Sequence, residues 1–185
     1  MKRLFAFFFS SLIATVVLAQ NGPVGVRMEY ASVSEDDWEY TLFSYPESDG
    51  TLGYYLGVSV EFNLLEVFRD DIKDMSFGHI DEVCVWMGSN RAEVMESIDK
   101  MLSWYDAEVG TIFPLKARGV NGGGETLDGP MKADCILVKR IFSGRRLCFN
   151  FVSGNHTARA DLKKGALKTL KHLYSVEGRL HGEEE

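Results

Sequence analysis

The chain has 185 residues, enough for one domain with its own hydrophobic core. Its formal charge is −7, with 27 acidic against 20 basic side chains, a balance that repels phosphate backbones and argues against a nucleic-acid partner. Three cysteines leave at least one thiol unpaired within a monomer, and a core of this size needs no disulfide staple.

The chain opens on Met1-Lys2-Arg3, followed by an apolar stretch from Leu4 to Leu18 and by Val17-Leu18-Ala19. A basic start, a greasy middle and a small-residue exit predict a cleaved secretory signal over residues 1–19. The stretch is shorter than the ~20 apolar residues that cross a bilayer. It also runs straight into Gln20-Asn21-Gly22-Pro23, a turn. The reading is an exported protein, periplasmic or extracellular, with no membrane span after cleavage. Residues 20–180 read as a single domain and 181–185 as an acidic disordered tail.

Alternation in residues 24–32, with Val24, Val26, Met28 and Tyr30 on one side, predicts a half-buried strand. Ser34-Glu35-Asp36-Asp37 reads as a polar turn. Residues 38–45 make a strand with aromatics on both faces, and residues 54–62 alternate most cleanly. Short turns between these three imply an antiparallel meander. Residues 64–74 show helical spacing. Residues 82–87 read as a buried strand. Asn90 with Glu93 resembles a capping box ahead of an amphipathic helix at 91–105, striped by Val94, Ile98, Met101, Leu102 and Tyr105.

Residues 111–118 read as a strand and 119–130, with three consecutive glycines, as a mobile loop. Residues 133–142 and 145–152 form a predicted hairpin around Ser143-Gly144. Setting Phe142 opposite Arg145 places Cys135 opposite Val152 and Cys148 opposite Lys139, about 13 Å apart along the ladder. A disulfide between them is therefore not expected. Residues 158–174 read as the closing helix, capped by Asn155 or Thr157 and carrying Arg159, Lys163, Lys164, Lys168 and Lys171 on its wet side. The fold class expected is α+β: a mainly antiparallel twisted sheet of six to seven strands with two amphipathic helices packed on one face.

No motif assigns chemistry. The Gly122-Gly123-Gly124 stretch lacks the features of a phosphate- or dinucleotide-binding loop. No His or Cys pair has zinc-ligand spacing, so no metal or cofactor is expected. His79 and Asp81 could share one face of an extended segment, and with His156 they are the weak acid-base candidates. Ser153-Gly154-Asn155-His156 reads as a turn rather than a triad. The carboxylates of residues 34–39 lack EF-hand spacing. The remaining signal is aromatic: Trp38, Tyr40, Tyr45 and Tyr55 crowd the first two hairpins and are the candidate binding residues for an unknown protein or glycan partner. The reading is an exported, non-catalytic binding or structural module of the cell envelope or exterior. The alternative is a small extracytoplasmic enzyme using a His/Asp site.

Overall fold

The computed structural model describes residues 27–47, 49–60, 82–120, 127–153 and 156–180. Residues 1–26, 48, 61–81, 121–126, 154–155 and 181–185 lie outside it, and with them the signal, the helix expected at 64–74, His79, Asp81, the glycine run, Asn155 as a helix cap and the tail.

The described residues form one antiparallel sheet of eight strands in chain order, with two helices. The strands are β1 (Met28–Glu35), β2 (Trp38–Pro46), β3 (Leu52–Ser59), β4 (Glu82–Gly88), β5 (Ile112–Val120), β6 (Leu127–Arg140), β7 (Gly144–Ser153) and β8 (His156–Lys163). Helix α1 (Arg91–Trp104) joins β4 to β5, and α2 (Lys164–Leu180) follows β8. The α+β class holds, with eight strands where six or seven were expected.

Alternation puts Leu42, Leu56, Val58, Val83, Val85, Leu147, Phe149, Phe151, Ala160 and Leu162 on the inner face. Val94, Ile98 and Met101 of α1, with Leu167, Leu170 and Tyr174 of α2, close that core. Half of the expected capping box forms: Asn90 Oδ1 accepts from the Glu93 amide at 3.0 Å, while Glu93 reaches one residue past the cap, its Oε2 accepting from the Ser89 amide at 2.7 Å. Strand twist accumulates over eight strands and brings the two ends of the sheet together. Arg146 of β7 donates to Asp36 at 2.7 Å, and Lys163 of β8 pairs with Glu35 and, at 3.3 Å, with Asp36. Helix α2 packs along this seam, against β1, β7 and β8.

Four expectations need correction. The β1 strand runs on to Glu35, leaving Asp36-Asp37 as the turn, and a bulge between Glu29 and Ala31 turns Ala31 inward while Met28 is exposed. The expected loop at 119–130 begins and ends in strand: Val120 opposes Leu127, and Pro130 opposes Arg118 beside a bulge.

The hairpin register is also different. Arg140 opposes Gly144, and Ile141-Phe142-Ser143 form a three-residue turn closed by Gly144 at φ 71°. An odd shift flips faces. Cys135 therefore opposes Phe149 inside, whereas Cys148 opposes Ile136 on the outer face. These two thiols are free, as is Cys84, but because they sit on opposite faces rather than far apart along the ladder.

Finally, residues 156–163 are a strand. Ala158, Ala160 and Leu162 point inward and alternate with Arg159, Asp161 and Lys163. The helix begins only at Lys164 and runs through Gly178 to Leu180. Thr157 pairs with Val152 and caps nothing, and the basic residues divide between β8 and α2.

Candidate binding surface

On the outer face, β2–β4 carry a second apolar cluster: Phe43, Tyr55 and Cys84, all buried, with Tyr45 and Trp86 half-buried at its rim. Strand alternation assembles it, because Phe43, Tyr55 and Trp86 face away from the inner core. Phe43 stacks on Tyr55 with centroids 5.7 Å apart. Trp86 meets Tyr55 edge-on at 5.3 Å and 79°.

Two ion pairs lie over this cluster. Arg27 sits 3.9 Å above the Phe43 ring and donates two hydrogen bonds to Glu82. At the other end Glu47 accepts from the Tyr55 hydroxyl and, at 2.9 Å, from Arg118. The β2–β3 turn aims Glu47: its amide donates to Thr51 O, and Gly50, at φ 84°, donates back to Glu47 O.

Two glycines flank Tyr55 on the same face of β3 and make room for these carboxylates. A Cβ at Gly57 would fall on the Glu82 carboxylate. One at Gly53 would lie 2.6 Å from Glu47 Oε1 and 2.8 Å from the Trp86 ring. This Gly53-Tyr55-Gly57 spacing is the sequence signal that the reading missed.

Pairing between β4 and β5 covers only Glu82–Val85 against Ala117–Val120. Beyond it the strands splay, and a groove of about 330 Å³ opens, lined by Tyr55, Trp86, Leu115, Lys116, Arg118 and Met131. That volume is at the small end of ligand-binding clefts. Burial pushes the Tyr55 phenol up, and the Glu47 contact adds to it. Burial, then the charge of Glu82, pushes the Cys84 thiol up. All three thiols are shifted this way, so the thiolate needed for nucleophilic chemistry is disfavoured.

The four expected aromatics do not form one surface. Tyr40 is buried in the inner core against Phe149. Tyr55 is buried as the floor of the outer cluster, and Tyr45 lies at its rim. Trp38 is elsewhere, half-buried in a cleft of about 650 Å³ between the β1–β2 and β6–β7 turns. Trp86, which the reading assigned only to a buried strand, borders the groove. Of the acid-base candidates, His156 is the first residue of β8, opposite Ser153. Among the described residues no three His, Cys, Asp or Glu side chains are grouped to hold a metal ion, and no helix is long and apolar enough to cross a membrane.

No family model, curated protein or solved structure matches the chain.

Proposed function

We propose that the chain is an exported, non-catalytic binding module that takes an oligosaccharide in the groove beside Trp86. The observation that carries the reading is a half-buried indole standing edge-on against a fixed tyrosine, with an ion pair locked beside it. An aromatic face stacks on the C–H face of a sugar ring, and the Arg118 guanidinium at the groove, pre-positioned by Glu47, donates to its hydroxyls without first losing side-chain freedom. Lys116 at the groove favours a sugar that carries a carboxylate. Export rests on the pattern of residues 1–19.

The test is calorimetric titration of the purified protein with chitin, cellulose and polygalacturonate oligomers. Binding of at least one series, reduced about tenfold or more by Trp86→Ala and little changed by Trp38→Ala, is the expected result. Equal affinity of Trp86→Ala and the parent would remove the groove as the site.

A further inference from the structure

The β6–β7 turn presents a different surface, whose cleft shares no lining residue with the groove. Ile141 and Phe142 are 92% and 99% exposed at its tip, and neither belongs to either apolar cluster. Turn tips are ordinarily polar or glycine-rich, so two adjacent large apolar side chains here serve no packing purpose.

The base of the hairpin is tied to the body of the fold. At its root Arg145 donates to the carbonyls of Tyr105 at 2.6 Å and Ala107 at 3.0 Å. Arg146 donates to Ser143 Oγ at 3.0 Å and to Asp36 at 2.7 Å. Trp38, the first residue of β2 after the neighbouring turn, lines the same cleft as Ile141 and Phe142.

Charge follows a pattern behind the tip. Lys139-Arg140 precede it and Arg145-Arg146 follow. Arg140 is neutralised by Asp161 and Arg146 by Asp36. Arg145 bonds only neutral carbonyls among its described contacts, so its charge stands, as does that of exposed Lys139. The opposing charges are Asp37, exposed on the facing turn, and Glu108, exposed next to the Ala107 carbonyl that Arg145 bonds.

We infer that this tip docks on an anionic lipid bilayer, with Ile141 and Phe142 entering the headgroup–acyl boundary, Trp38 at interfacial depth, and Lys139 and Arg145 facing lipid phosphates. A convex apolar knob needs no complementary pocket when the partner is a bilayer, and basic residues just behind an apolar tip lie where the phosphates are. A tryptophan at that level suits the interface.

The experiment is co-sedimentation of the purified protein with vesicles of phosphatidylcholine alone or of equal parts phosphatidylglycerol and phosphatidylcholine. The parent should sediment with the anionic vesicles and less with the neutral ones. The double variant Ile141→Ser/Phe142→Ser should lose about tenfold or more in partitioning while its thermal unfolding is unchanged. Lys139→Gln should weaken sedimentation and Asp37→Asn should strengthen it. A parent that stays in the supernatant with both compositions overturns the inference, as does a double variant that sediments like the parent or equal binding to both compositions.

Discussion

The outer face of the sheet is finished in two ways. Over β2–β4 it is a second buried core, with Phe43, Tyr55 and Cys84 sealed beneath the Arg27–Glu82 and Glu47–Arg118 pairs. Over β6–β8 the same face is polar: Asn150 donates to Asp134 at 2.7 Å, Arg140 pairs with Asp161 at 2.8 Å, and Lys132 and Arg159 are exposed. One sheet thus has a face sealed from water at one end and more open to it at the other, where Cys148 and Asp161 are nonetheless buried. The sealed end needs close packing and covered carboxylates. The more open end needs only cross-strand polar pairs, each worth a fraction of a kcal/mol up to about 1.

The largest test of that contrast is Phe43→Ala. If the outer cluster is packed like a core, the loss should be about 3–5 kcal/mol, similar to Phe149→Ala on the inner face. Chemical denaturation of both variants checks this, and a loss for Phe43→Ala below about 1 kcal/mol would break the comparison.

Gly57→Val should cost about 1–3 kcal/mol, because its side chain displaces the Glu82 carboxylate and overpacks against Phe43. Thermal melts would read it. Gly165, where an added Cβ meets nothing within 4 Å, provides the control site.

Asn150→Ala removes the hydrogen bond to Asp134 and the long thiol contact from Cys148 at the more open end, and should cost about 1 kcal/mol.

The smallest effect near neutrality, growing with alkalinity, comes from the thiols. Burial raises all three above their ordinary range, Cys148 to about 11, where its contact with Asp161 adds to burial. A thiol whose pKa is higher folded than unfolded favours the unfolded state once the unfolded thiol ionises. Stability should therefore fall as pH rises above about 9. Iodoacetamide labelling with mass readout should modify Cys148 before Cys84 and Cys135.

Where one physical rule governed a segment, the sequence was legible. The β3 alternation, the apolar β4 strand and the Asn90 cap before α1 all read directly. Segments where two rules competed were not. Arg159, Lys163 and Lys168 mimic a helix face, yet Ala158, Ala160 and Leu162 alternate with period two, and burial against the core decided for strand. The apolar run at the hairpin suggested a first strand reaching Phe142. Gly144 supplies the left-handed residue of a three-residue turn, and that turn set the register. The groove was hidden for a different reason. It depends on Trp86 and Arg118 meeting where β4 and β5 splay, and on glycines on either side of Tyr55, so no single motif announces it.

The three tryptophans occupy three environments, and this makes one measurement decisive. Trp86 borders the groove, Trp38 lies in the turn cleft, and Trp104 is stacked on Phe113 at 4.4 Å beside the inner core. In a two-dimensional amide NMR titration with polygalacturonate oligomers, the account predicts that the Trp86 indole resonance shifts together with Lys116 and Arg118, while those of Trp38 and Trp104 stay in place. Saturating shifts at Trp38 with an unmoved Trp86 would contradict it.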